Sequence, residues 1–386
     1  MFKNKRILVT GVCGTVGAEL LRQLTTDPAH SPAEVIGLDN NESALFFLDQ
    51  QYLDEPRVNL AIADIRDRES LGQRFEGVDI VFHSAALKHV VLTERSPEQA
   101  IMTNINGVQN VIEASQRAGV ERVIFTSSDK AVNPTSVMGT SKLMGERLMT
   151  AANSSRHPGG PIFASTRFGN VLGSNGSVFP IFRSQIAKGG PITLTNADMT
   201  RFVMSIEDSV KLVVDSAMLA KGGEIFITKM PVVRIIDLAR AMIELFAPLD
   251  GHDPERMELQ EIGTKPGEKL YEELMNEEEI RRAVELDSYF SVLPAFRGIY
   301  RDIEYDYEGI VNATVDDPYI SAKQKALSVS DIRRLLVQYG LCEAPVDNDQ
   351  TQRYWPGDKE TRHGSRDGVQ CDTRTTTTID TRVATA

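Results

Sequence analysis

The sequence predicts an α/β fold, a Rossmann-type doubly wound parallel sheet with a smaller mixed α/β lobe attached to it. Three observations carry this reading. Short apolar runs alternate with amphipathic stretches through the first half of the chain. A glycine triplet, Gly11, Gly14 and Gly17, stands between the first apolar run and the first amphipathic stretch. From about Gly169 onward, Gly, Pro and Ser punctuate the chain ("GNVLGSNGSVFP", "KGGPITL") and the regular alternation ends.

Each element follows from its own residues. Ile7–Thr10, Glu34–Leu38, Val58–Ile62, Ile80–His83, Val123–Ser127 and Ile162–Arg167 are short apolar runs and predict strands. Val16–Thr25, Pro97–Ala118 and Val137–Asn153 have the spacing of helices that cover such a sheet. In the lobe, helices are expected near Ile206–Ala220, Arg234–Leu245 and Lys269–Leu286. The division is 1–168 for the sheet domain, with later segments returning to it, and 169–343 mainly for the lobe. Residues 344–386 are polar, Thr-rich and without aliphatic periodicity, so they predict a disordered tail.

Composition narrows the function. The chain has 386 residues, 41% hydrophobic and 25% charged, as expected of a soluble globular protein. No apolar run approaches bilayer length, and "MFKNKRILVTG" runs directly into a strand without a signal-peptide pattern. A cytoplasmic location is therefore expected. The net charge of −12 argues against nucleic acid or an anionic membrane as partner. A phosphate-bearing ligand would need a few placed Lys and Arg residues and backbone N–H groups. The three cysteines, Cys13, Cys342 and Cys371, are far apart and show no CxxC spacing. The six histidines are scattered without an HExxH pattern, so no metal is expected.

The glycine triplet predicts a dinucleotide site. Glycine allows the tight turn and lets the backbone approach a pyrophosphate, which then rests on the helix N-terminus. Asp39, in "VIGLDNN", stands where a carboxylate accepts the ribose hydroxyls and repels a 2′-phosphate. No Arg follows at Asn40 or Asn41. This favours NAD over NADP; the alternative is that Asp39 starts a turn and caps the next helix. Asp64 and Ile65, after the third strand, are placed to flank adenine.

The motifs "TGVCGTVG", "HSAALKHV", "TNINGVQNV", "TSSDKAVNP", "MGTSK", "RFGNVLGSNGSVFPIF" and "GTKPGEKLYEEL" occur in this order. Through them the chain resembles the extended short-chain dehydrogenase/reductase family from about Lys5 to Leu341. Its nearest group is the UDP-N-acetylglucosamine 4,6-dehydratases of polysaccharide biosynthesis. The resemblance implies a cofactor site at Gly11, Gly14, Thr15, Val16, Gly17, Asp39, Asp64, Ile65, Ala85, Lys88, Asn104 and Lys142. It also implies Asp129 as the acid that protonates a departing C6 hydroxyl and Lys130 as the base at C5, a role that needs a depressed ammonium pKa. Ser128 would hydrogen-bond the sugar 4-oxygen, and Lys142 would hold the nicotinamide ribose. Where the family usually has a proton-abstracting tyrosine, this chain has Met138, as in a branch of the group. A thioether takes no proton at neutral pH, so Asp129 or Lys130, directly or through water, is expected to take that of the C4 hydroxyl.

For the substrate, the resemblance points to Lys88 and His89 beside the sugar. Asn170, Ser177, Val178, Arg201 and Lys265 would meet the diphosphate, and Glu268 the ribose. The nucleotide base stays open between uridine, guanosine and others. Two other readings also stay open: a 4-epimerase, and a catalytically silent NAD-binding protein. Family members pair through the helices that correspond to Pro97–Ala118 and Val137–Asn153, which implies a homo-oligomer, a dimer or larger.

Overall fold

Alternation of apolar and amphipathic segments becomes a layered structure because each strand must bury both faces. In the computed structural model, which describes residues 2–155, 159–174, 176–263, 267–296 and 303–342, seven parallel strands form the body of one sheet. They are β1 (Arg6–Thr10), β2 (Glu34–Asp39), β3 (Val58–Ile62), β4 (Ile80–His83), β5 (Arg122–Ser128), β6 (Ile162–Phe168) and β10 (Ile225–Thr228). Between the last two lie β7 (Asn170–Val171), β8 (Ile192–Leu194) and β9 (Thr200–Met204). Across the sheet the parallel strands run β3-β2-β1-β4-β5-β6-β10, so successive strands are added outward on one side of β1 up to β3 and on its other side from β4. Loops at the carboxyl ends of the strands on either side of such a switch point diverge and leave a crevice. The residue 344 boundary of the expected tail, and Lys265, lie outside the described residues.

Side-chain alternation along β1 shows the layering. Ile7 and Val9 pack on one face with α1 (Thr15–Thr26), while Leu8 packs on the other. That second face is covered by α3 (Arg68–Arg74), α6 (Gly107–Ala118) and α7 (Val137–Ala152). Helix α2 (Glu42–Gln51) follows β2, and α4 (Val90–Arg95) and α5 (Pro97–Ala100) follow β4. The long helix expected over Pro97–Ala118 is interrupted by a π-helical stretch, Ile101–Asn106. A further core cluster joins α8 (Val178–Ala187), α10 (Ile235–Phe246) and α11 (Val329–Gln338), while α9 (Ile206–Leu219) returns to the sheet beside α1.

One expectation fails. Lys269–Leu286 is not a helix. It contains β13 (Glu273–Met275), a 3₁₀ turn at Glu279–Arg282 and β14 (Ala283–Leu286). Beyond them, β15 (Tyr289–Val292) pairs antiparallel with β10 and β14, and β16 (Ile310–Asn312) pairs with β14, so the sheet has ten strands among the described residues. The remaining strands, β11 (Val232–Arg234), β12 (Leu259–Glu261) and β17 (Tyr319–Ile320), sit in small accessory sheets with β9, β8 and β13.

The buried Arg167, at the end of β6, anchors the misread segment. Its guanidinium donates to both carboxylate oxygens of Glu146 on α7 (2.8 and 2.7 Å) and to both of Glu279 (2.8 Å each). It also donates to the Leu274 carbonyl at 2.9 Å. A fork of five fixed donors suits two carboxylates and a carbonyl at once. The segment that carries residues 272–279 is thereby held against the carboxyl end of the sheet.

Candidate active site

The turn after β1 is built for close approach. Gly11 has φ +71°, and a Cβ there would lie 2.7 Å from the backbone of Ala85, in the loop after β4. A Cβ on Gly17 would meet the Gly11 carbonyl oxygen at 2.2 Å. Thr15, Val16 and Gly17 open α1, whose N-cap is Gly14, so no side chain caps its first N–H groups. Such a helix end favours an anion. The Asp39 carboxylate accepts from the Cys13 N–H and the Asn41 N–H, both at 3.0 Å. The cap of α2 is Asn41, which accepts from Ala44 N–H at 3.1 Å. Asp39 therefore faces the glycine turn and also opens the turn at Asn41, while the cap of α2 falls to Asn41. Asp64 is chelated by the Arg66 guanidinium, and the Ile65 side chain is buried against Gly107.

The crossing of β5 into the next turn supplies the centre. Ser128 caps a 3₁₀ turn, Asp129–Ala131, and its hydroxyl donates to the Asp129 carboxylate. Asp129 is buried, and the Lys130 ammonium donates to its two oxygens at 3.0 and 3.3 Å. A second carboxyl group reaches Lys130 from far along the chain: Glu272, at 3.3 Å. Asn170 donates to Glu272 at 2.6 Å, Arg201 Nε lies 3.3 Å from it, and its backbone N–H is held by Ser321 Oγ at 2.9 Å.

Electrostatics divides the two carboxyl groups. Burial alone would raise Asp129, but the Lys130 charge, a hydrogen bond with Glu272, the Ser128 hydroxyl and the Lys130 donors reverse it, and its carboxyl is held well below the usual range. Glu272 moves the other way, pushed up to about 8 first by burial and then by the Asp129 charge, against the pull of Lys130 and Arg201. Burial also disfavours the Lys130 ammonium, yet its contact with Asp129 and Glu272 outweighs burial and raises it. The depressed ammonium expected for a Lys130 base is thus not found: two carboxyl groups keep the proton on it. Burial lowers Lys142 to about 8, against the opposing charge of Glu146, and it also lowers Lys88.

Lys142 lies inside α7, with Nζ donating to the Thr126 carbonyl at 2.8 Å and 4.6 Å from the centre of the Phe125 ring. Met138, one turn earlier, is 3% exposed and packs as core. Asn104, in the π-helical stretch, donates to Ser141 Oγ and to the Leu87 carbonyl (2.9 Å each) and accepts from Leu87 N–H at 2.8 Å. It ties the loop after β4 to α7. His83, which the sequence reading did not single out, is buried with Nδ1 2.7 Å from Thr10 Oγ1. Burial, then the Lys142 charge, lower it to about 3.

A cavity of about 340 Å³ opens onto this cluster. Asp129, Lys130, Asn170, Ser177, Val178, Arg201, Glu268 and Glu272 all line it. Lys88 and His89 are exposed beside it, where His89 begins α4 and its neighbours Val90 and Val91 form part of the wall. Two expected phosphate donors are already engaged. Arg201 gives its fork to the carbonyls of Thr200, Leu270 and Lys269 at 2.8, 3.2 and 2.9 Å, besides Glu272. Asn170 spends its amide on Glu272 and on the Phe202 carbonyl at 3.2 Å. Both hold protein in this state instead of presenting free donors. Ser177 keeps the expected position: it is the N-cap of α8, and its buried Oγ has no hydrogen-bond partner among the described residues. Glu268 accepts from Thr195 Oγ1 at 3.3 Å.

A family described as "polysaccharide biosynthesis protein" matches residues 7–294, the greater part of the chain and all of the site just described. The chain belongs to this family. It is 46% identical over 335 residues to an uncharacterised membrane protein of Methanocaldococcus jannaschii, covering 87% of this chain and 96% of that one. No helix among the described residues here is long and apolar enough to cross a membrane. A UDP-N-acetylglucosamine 4,6-dehydratase (inverting) of Campylobacter jejuni is 36% identical, over 80% of this chain and 89% of its own length. A UDP-glucose 4-epimerase of Rickettsia felis is 35% identical, over 90% and 100%. Family members from Bacillus subtilis and Staphylococcus aureus are longer, and the chain spans 46% of each. The crystal structure of Pen from Bacillus thuringiensis superposes with a TM-score of 0.81 at 37% identity, covering 88% of this chain and 99% of that one.

Proposed function

We propose that this protein is a nucleotide-sugar 4,6-dehydratase that uses NAD and takes UDP-N-acetylglucosamine or a close NDP-N-acetylhexosamine. The single observation that carries this reading is the contact of Asp129 and Lys130 on the wall of one cavity, at the carboxyl end of β5. Loss of water across C5 and C6 needs groups that trade protons at adjacent carbons, whereas epimerisation at C4 needs none there.

The residues present fit a dinucleotide. Gly11 lets the turn lie tight against the Ala85 backbone, α1 offers uncapped N–H groups, and Asp39 would meet the ribose. When bound, the nicotinamide supplies a hydride acceptor for sugar C4 and a hydride donor for C6. Lys142 would hold the nicotinamide ribose, and its burial beside Phe125 keeps that position dry. Ser128 would bind the sugar 4-oxygen and, through its bond to Asp129, pass on the proton that Met138 cannot accept. Lys130, kept charged by two carboxyl groups, would stabilise the oxyanion that develops as C5 loses its proton. The N-terminus of α8 at Ser177 and Val178 would receive the diphosphate. The lobe 169–343 as the substrate-binding half, and pairing of two copies, belong to the same reading.

The epimerase reading draws on the Rickettsia relative. One experiment separates the two. The purified protein is incubated with NAD and UDP-N-acetylglucosamine, and the product is weighed by mass spectrometry. Loss of one water is expected; an isobaric product selects the epimerase, and an unchanged substrate across UDP- and GDP-sugars overturns both.

A further inference from the structure

Glu272 is buried, yet it lines the cavity, and three charged groups face it: Asp129 and Lys130 from the 3₁₀ turn, and Arg201 from β9. Its other neighbours, Asn170 and Ser321, are neutral and hold it in place. Lys130 Nζ lies 3.0 Å from Asp129 and 3.3 Å from Glu272, and two buried carboxyl groups gathered on one ammonium in a dry site do not both ionise. We infer that Glu272 is a catalytic residue, the second carboxyl group of the proton-transfer centre, and that it and Asp129 hold one proton between them for use in the elimination step. This rests on the dehydratase reading.

The step balances on that pair. With C4 already a ketone, and the hydroxyl proton that Ser128 relays to Asp129 released to solvent through the cavity, the Asp129 carboxylate takes the C5 hydrogen as a proton, and the C5–H electron pair becomes the C5–C6 π bond. The C6–O bond breaks, and its oxygen leaves as water with the proton of the Glu272 carboxyl group. The pair starts with one proton on Glu272 and ends with one on Asp129. When hydride returns to C6, Asp129 gives its proton to C5, and Glu272 regains one from solvent, which balances the proton released from the C4 hydroxyl. Lys130 gains and loses nothing, which agrees with an ammonium fixed between two carboxyl groups. Burial and the Asp129 charge hold Glu272 up near 8, which keeps it protonated and competent as an acid at neutral pH.

The test uses Glu272→Gln and Glu272→Asp in the full chain with NAD and UDP-N-acetylglucosamine, following both reduced-nicotinamide absorbance and water loss. For Glu272→Gln the expected result is a fall in kcat for water loss of about 10²–10⁴-fold with KM within about threefold. Reduced nicotinamide should still form, because C4 oxidation does not call on Glu272, and Glu272→Asp should recover part of the water loss. Two results overturn the inference. One is Glu272→Gln dehydrating within about threefold of wild type; the other is loss of nicotinamide reduction and dehydration together, which would leave Glu272 a positioning role only. If the wild-type protein itself removes no water from any nucleotide sugar, the dehydratase reading has failed, and this inference falls with it.

Discussion

Glu272 leaves a signature on stability that needs no substrate. From its ordinary value of 4.5, which the unfolded chain keeps, its carboxyl group is pushed up to about 8 in the folded protein by burial and then by the Asp129 charge. Between those values the folded state holds a proton that the unfolded state has lost. The Glu272 contribution to stability therefore falls as pH rises from about 4.5 to about 8 and is constant above that. Asp129 does not blur this window, because its carboxyl lies well below the usual range and stays ionised throughout. Lys142 acts outside it, from about 8 to its ordinary value of 10.5. There the unfolded chain holds the extra proton, and stability rises with pH. Urea denaturation of wild type and Glu272→Gln at several pH values isolates the first effect. The wild type should lose at least about 1 kcal/mol relative to the variant between pH 5 and 8. A difference that is flat with pH would mean that Glu272 is ionised in the folded protein.

Among the elements, Arg167 decides where the last quarter of the described chain goes. Its side chain is fully buried, and both Glu146 and Glu279 are buried with it. Removing one member of such a network strands the others, at a cost of about 3–5 kcal/mol. Arg167→Ala should lower stability by that amount in chemical denaturation, and Arg167→Lys should recover little, since an ammonium cannot reproduce two forked contacts. An Arg167→Lys protein as stable as wild type would show that the network is worth less than its geometry implies. The same network explains where the sequence was legible. The parallel strands and their glycine turn are local signals, and the structure repeats them within a residue or two. "KLYEELMNEEEIRRAVEL" is rich in strong helix formers, so its intrinsic preference points to a helix. Pairing of β13 with β17 and of β14 with β15 and β16, pinned by Arg167, overrides that preference. Glu272 was lost in the same misreading. Its partner Lys130 is 142 residues away, and spacing carries no trace of a contact that tertiary packing creates. Asn170 and Arg201 were found as polar groups of the site, but their engagement with Glu272 and nearby carbonyls depends equally on the fold.

At the scale of the whole molecule, an acidic chain must hold two phosphate-rich ligands on one edge of its sheet. With a net charge of −12, long-range repulsion works against both, so on the proposed reading affinity has to come from local donors, the uncapped start of α1 and the start of α8. Asp39 makes this demand selective. Its carboxylate already secures the glycine turn through the Cys13 N–H, so it is fixed where a 2′-phosphate would have to sit, and rotating away would release the turn. NAD should therefore stabilise the protein by about 2.7 kcal/mol at a hundredfold excess over its Kd, while NADP at the same concentration does far less. Asp39→Asn keeps an acceptor for the Cys13 N–H and removes the charge, and should bring the two cofactors closer together in thermal shift. Equal stabilisation of the wild type by NADP and NAD would show that Asp39 faces the glycine turn for structural reasons alone and does not read the ribose.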